Sequence, residues 1–154
     1  MAGERGAVKI TRDFDFPRES VFTMFTDSRK AARWWGPAEF VNVVFELDAR
    51  PGGALRIEDR NPEGKIFRTS GTIMEIIVPE LLMFRTTTSS VEGPAPWEAI
   101  QTVTFEELSP RRTRVTALVN VVTAGSWPGD IGSLEEGFKG GWGESFDKLQ
   151  RELR

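Results

Sequence analysis

The sequence predicts an α+β fold in which a meander of antiparallel strands packs against a long carboxyl-terminal helix. Three observations predict it. Apolar spacing changes from helical to alternating at Phe40. The turns that follow are too short for crossover helices, which argues against parallel βαβ units. Helical spacing then returns after Ile131. A chain of 154 residues falls in the size range of one domain. At that size it can bury about 68 to 70% of its unfolded surface, enough for an ordinary core. One domain over residues 1–154 is therefore expected.

The elements follow in order. From Val8 to Phe16, Val8, Ile10, Phe14 and Phe16 share one parity while Lys9, Thr11, Asp13 and Asp15 take the other, a half-buried strand with Arg12 on its apolar side. Pro17 suits a first helical position, and Val21, Phe22 and Phe25 form a helical stripe through Thr26. A second helix is expected to start at once, capped by Asp27 or Ser28. Ala31, Ala32 and Trp35 give it an apolar side, and Gly36-Pro37 ends it.

Six strands should come next. Val41, Val43, Phe45 and Leu47 alternate with Asn42, Val44 and Glu46, and the turn Arg50-Pro51-Gly52-Gly53 leads to a partner strand with Leu55 and Ile57 on one face. Asn61-Pro62-Glu63-Gly64 and Pro79-Glu80 are turns before strands over Ile66 to Ile77 and Leu81 to Thr87. The last two strands are expected from about Ile100 to Glu107 and from Arg114 to Thr123. Ser89 to Pro96 and Ala124 to Gly132 read as rim loops, where Trp97 and Trp127 serve either as anchors or as a lid.

The closing segment carries the most information. Leu134, Phe138, Trp142, Ser145 and Leu149 recur at helical spacing, yet Gly137, Gly140, Gly141 and Gly143 surround the Trp142 ring. Each glycine inside a helix costs about 0.5 to 1 kcal/mol relative to alanine, so four of them ask for a reason. Room beside the rings for a backbone or a ligand is one reason. A glycine loop followed by a shorter helix from Glu144 is the alternative.

The absent residue types restrict the chemistry. The chain has no Cys, His or Tyr, which removes disulfides, structural zinc, thiol nucleophiles, imidazole bases and Ser-His-Asp triads. The net charge of -3 is dispersed, and no run of Lys or Arg exceeds two residues, so a nucleic-acid partner is not expected. No apolar run approaches the ~20 residues of a membrane span, and no signal-peptide pattern opens the chain. A soluble, cytoplasmic protein without a membrane partner is the expectation.

Sharper motifs mostly dissolve. Asp59-x-Asn61-x-Glu63-Gly64 imitates the start of a calcium loop, but Ser70 stands where a bidentate Glu is needed, and a hairpin turn fits better. Neither Gly64-Lys65 nor Gly141-x-Gly143 has the context of a nucleotide-binding loop. Adjacent strand residues face opposite sides, so at most one of Glu58 and Asp59, or of Glu106 and Glu107, enters the interior. Solvated charge is the preferred reading of these pairs and of Glu135-Glu136. Arg56, Arg68 and Arg85 are expected on the outer sheet face. Arg12 either anchors an anionic group from within or pairs near the rim.

The chain carries a resemblance on several pieces taken together. They are Ile10-Thr11-Arg12 through Phe16-Pro17 with Val21-Phe22, Trp34-Trp35-Gly36-Pro37, Pro51-Gly52-Gly53, the Gly64 turn, Gly71 to Pro79, and Gly141-Trp142. In their order and spacing they resemble the START-like (SRPBCC) superfamily, and within it the group related to the carboxyl-terminal domain of the activator of the Hsp90 ATPase. The resemblance covers nearly the whole chain. It implies a helix-grip fold, a curved antiparallel sheet around the carboxyl-terminal helix that often encloses a cavity for an apolar ligand.

On that implication, Phe45, Leu55, Ile57, Phe67, Leu82, Phe84, Val103, Phe105, Val115, Ala117 and Val119 point inward toward Phe138 and Trp142. They either line a cavity or fill a dry core. The ligand-binding set expected is Arg12, Phe45, Leu55, Ile57, Phe67, Phe84, Val103, Phe138, Gly141 and Trp142. No catalytic residue, metal site or cofactor is expected. Three functions stay open at this stage. The first is binding of an apolar or amphipathic small molecule. The second is a protein-interaction module acting on Hsp90, which is weakened because the activator has an additional amino-terminal domain that this length does not hold. The third is an enzyme using carboxylate or lysine chemistry in the cavity.

Overall fold

The computed structural model describes residues 7–36, 38–90, 97–125 and 131–153. Its elements are β1 (Ala7–Phe14), α1 (Arg18–Thr26), α2 (Ser28–Ala31), β2 (Val41–Leu47), β3 (Ala54–Arg60), β4 (Ile66–Ile77), β5 (Leu81–Ser90), β6 (Trp97–Ser109), β7 (Arg112–Thr123) and α3 (Ile131–Glu152). The seven strands form one antiparallel sheet in the order β1-β7-β6-β5-β4-β3-β2, curved and unclosed. Short turns join β2 to β3, β3 to β4, β4 to β5 and β6 to β7, as their turn residues require. Because β1 and β2 are the two edges, α1 and α2 must cross the sheet between them.

The core lies between this sheet and the helices. Phe14, Phe25, Trp34, Phe84 and Phe146 are its largest fully buried side chains. From α1, Phe22 and Phe25 each set a ring 5.0 Å from Phe105 on β6, edge to face. From α3, Leu134, Trp142, Phe146 and Leu149 are buried, at the spacing that puts them on one side of a helix. Outside the sheet, Arg56 pairs with Glu46 and Glu58, Arg68 lies near Glu58, and Arg85 pairs with Glu98. These arginines stand on the solvent face, as their parity requires.

Several expectations need correction. The second helix is four residues long, and turns rather than helix carry the chain from Ala32 to Trp34. It is therefore Trp34, not an apolar helical side ending at Trp35, that is fully buried, with its indole N–H donating to the Met24 carbonyl at 2.9 Å. β1 ends at Phe14, two residues early, and β6 begins at Trp97, three residues before Ile100. The hairpin turn read at the calcium-loop imitation is present after β3, closed by the Gly64 N–H donating to the Asn61 carbonyl at 3.0 Å. The expected helix does run through the glycine-rich segment as α3, and the alternative of a glycine loop is ruled out. The rim-loop residues 91–96 and 126–130, including Trp127, lie outside the described residues.

The largest departure is on β2. A bulge between Asn42 and Val44 inserts one residue, so Asn42 pairs with Asp59 while Phe45 pairs with Ile57. Val41 and Val43, which share the sequence parity of Phe45, are more than half exposed at 54% and 51%. Asn42 takes the inward position, since an inserted residue reverses the alternation beyond it.

Candidate functional site

Between α3 and the middle of the sheet lies a cavity of about 390 Å³. That volume is at the small end of the range for small-molecule pockets. Its walls come from β3 (Leu55, Ile57, Asp59), β4 and β5 (Phe67, Phe84, Thr86), β6 (Trp97, Gln101) and α3 (Leu134, Phe138, Trp142). Trp34, Trp35 and Gly36 close the end beside α2. Trp35 is the hub of the aromatic wall, with ring centroids of Phe45, Phe84 and Trp142 at 5.5, 5.6 and 5.9 Å.

Two polar devices hold this wall in place. The Trp142 indole N–H donates to Gln101 Oε1 at 2.9 Å, and Gln101 Nε2 donates to Thr86 Oγ1 at 3.1 Å, a buried relay from helix to sheet. Ser145 fixes the Gly36 turn to α3 by accepting from the Gly36 N–H at 3.0 Å and donating to the Gly36 carbonyl at 2.9 Å. Gly36 has φ of 107°, a conformation that disfavours any residue with a Cβ. The turn that carries Trp34 and Trp35 is thus pinned to the helix.

Asp59 lines the cavity, and with Asn42, its partner on β2 outside the lining, it forms a corner that is not satisfied. Asp59 Oδ1 and Asn42 Oδ1 are buried side-chain oxygens with no hydrogen-bond partner among the described residues. Asn42 spends its amide N–H groups on the carbonyls of Ala32 and Trp35, at 2.8 and 3.0 Å, so its oxygen faces Asp59 as an acceptor only. Burial pushes the Asp59 carboxyl up to about 6, with the nearby Lys148 ammonium pulling it the other way. Burial likewise lowers the Lys148 pKa, opposed by Asp59. A carboxyl held in this range can accept a hydrogen bond or exchange a proton near neutrality. Among the described residues, no group of three or more acidic side chains converges on a metal position.

Of the residues predicted from sequence, Leu55, Ile57, Phe67, Phe84, Phe138, Gly141 and Trp142 line the cavity together. Arg12, Phe45 and Val103 do not. Arg12 donates to Asp147 at 2.8 Å and to the Gly143 carbonyl at 3.4 Å, on the β1 side of α3, with its guanidinium 5.7 Å from the Phe146 ring centre. Phe45 stands next to Trp35 outside the lining, and Val103 is fully buried in the core. The glycine cluster divides as well. Gly137 and Gly141 line the cavity, whereas a Cβ on Gly140 or Gly143 would meet nothing within 4 Å among the described residues.

Asp59, Gln101, Trp34 and Ser145 are site residues that sequence reasoning did not select. Parity was the available signal for the strand residues, because Asp59 alternates in phase with Leu55 and Ile57, and Gln101 with Val103 and Phe105.

The fold and cavity define a helix-grip domain whose sheet and final helix enclose space of ligand size. The chain belongs to the family described as Activator of Hsp90 ATPase homolog 1-like protein, whose model matches residues 15–154. It is similar to a protein of known structure from Chromobacterium violaceum, 25% identical, with 99% of this chain and 98% of that one covered at a TM-score of 0.77. A protein from Nitrosomonas europaea (24% identity, coverage 96% and 93%, TM-score 0.77) shares the fold. So does one from Silicibacter pomeroyi that bears the family's name (22% identity, coverage 96% of each chain, TM-score 0.77). No curated protein matches the sequence.

Proposed function

We propose that this protein binds an apolar or amphipathic small molecule in the cavity between the sheet and α3. The observation that carries the proposal is a space of about 390 Å³ walled by Trp35, Phe67, Phe84, Phe138 and Trp142, where a close-packed interior would leave none. Apolar walls supply affinity by removing ligand surface from water, and the few polar groups at one corner supply orientation. Native mass spectrometry of the purified protein tests the proposal. A bound molecule of small mass, released by organic solvent, is the expected result.

The family match supports a second reading, a surface that acts on Hsp90, because the family is described by its likeness to an Hsp90 ATPase activator. A pulldown of purified protein against Hsp90 tests that reading separately. Both readings take residues 1–154 as one cytoplasmic domain. A shared core from β1 to α3 supports the single domain, and among the described residues no helix is long and apolar enough to cross a membrane.

A further inference from the structure

We propose that Asp59 is the polar anchor of the cavity, and that the ligand is a ring-sized apolar molecule carrying a hydroxyl group that donates a hydrogen bond to it. The inference rests on the cavity-binding reading above and specifies its ligand.

Three features converge on that chemistry. First, two acceptor oxygens at the corner meet no hydrogen-bond donor among the described residues. Asp59 Oδ1 and Asn42 Oδ1 are both buried without partners, and a Cβ built on Gly36 would lie 3.9 Å from the Asn42 oxygen and within 4.0 Å of both Asp59 oxygens. All three oxygens therefore face one small region. Second, this arrangement is fixed. The β2 bulge turns Asn42 inward opposite Asp59, and its two donations to Ala32 and Trp35 prevent its amide from offering an N–H there. Third, the amide and hydroxyl side chains of the lining are already engaged. Gln101 is paired with Trp142 and Thr86, Ser145 with Gly36, and Thr69 with Thr88 at 2.9 Å.

An unpaired buried acceptor is costly, and a ligand donor that satisfies it recovers that cost on binding. A hydroxyl suits the site better than an ammonium. Lys148 already places a positive charge toward Asp59, so the corner suits a hydrogen bond rather than a second charge. The aromatic walls from Trp35 to Phe138 accept a flat body behind that hydroxyl.

The test compares 2-naphthol with 2-methoxynaphthalene, which has a similar body but no donor. Affinities are measured by calorimetric titration at neutral pH on the wild-type protein and on Asp59→Leu. Wild-type protein is expected to bind 2-naphthol at least about tenfold more tightly, the scale of a hydrogen bond to a charged acceptor. Asp59→Leu should weaken 2-naphthol alone and bring the two affinities together. Equal affinities in the wild type, or a preference that survives in Asp59→Leu, overturns the anchor while leaving the cavity-binding reading intact. If neither compound binds a wild-type protein that does bind another apolar probe, the anchor falls and the cavity-binding reading stands; if no probe binds, both fall. The wild-type ratio needs no variant, so a poorly folding substitution does not blunt the test.

Discussion

The Trp142 indole on α3 reaches across the interior to donate to Gln101 on β6 at 2.9 Å, and this bond ties the helix to the sheet at the cavity wall. The ring is only 7% exposed and sits 5.4 Å from Phe146. Trp142→Ala should therefore destabilise the protein by about 3 to 5 kcal/mol. Trp142→Phe keeps most of the packing but leaves Gln101 Oε1 unpaired, for a loss of about 1 to 3 kcal/mol. Urea unfolding of both variants checks the order. A loss below about 1 kcal/mol for Trp142→Ala would place the ring outside the packing that holds the fold.

Asp59 makes stability depend on pH in an unusual direction. Its folded pKa of about 6 lies above the 3.8 of an unperturbed carboxyl, so ionisation opposes folding. Below about pH 3 the group is protonated in both states and contributes nothing. As pH rises toward about 6 the unfolded chain loses its proton first, and stability falls by roughly 1 to 3 kcal/mol before levelling off. Asp59→Asn should recover that loss at about pH 8 and change little at about pH 3. Denaturant midpoints at the two pH values measure it, and an equal effect at both would rule out this origin.

A glycine of α3 that lies off the cavity should accept a side chain. Gly140→Ala adds a methyl group into open space on a helix and should stabilise by about 0.5 to 1 kcal/mol. Gly71→Ala provides the contrast within the sheet, where the new Cβ would run into the Arg85 carbonyl, at a cost of about 2 kcal/mol or more. Thermal melts of the pair decide whether the helix glycines outside the cavity serve packing at all.

Much of the fold was legible because its signals are local. Turn residues at Arg50 to Gly53 and Asn61 to Gly64 mark hairpins, and the shared parity of Val103 with Phe105, or of Val115, Ala117 and Val119, marks an inner face. The site was legible where that alternation continues, at Leu55, Ile57, Phe67 and Phe84. It failed at Asn42, because a bulge is set by pairing with β3 and leaves no composition signal on β2. Asp59 had the right parity but the wrong expected environment, since a charge on a strand is usually solvated. Arg12 had inward parity too, yet its length lets it reach past the core to Asp147 at the helix edge.

Binding of an apolar fluorescent probe to the wild-type protein and to Gly141→Leu tests the central claim most directly. Gly141 lines the cavity beside Trp142, so a leucine there fills space that a ligand would use. The account predicts saturable binding to the wild type and at least a tenfold loss in the variant, with the variant still folded despite an overpacking cost of about 1 to 3 kcal/mol. Undiminished probe affinity in a folded Gly141→Leu protein, or no binding by the wild type across a chemically varied panel, would contradict it.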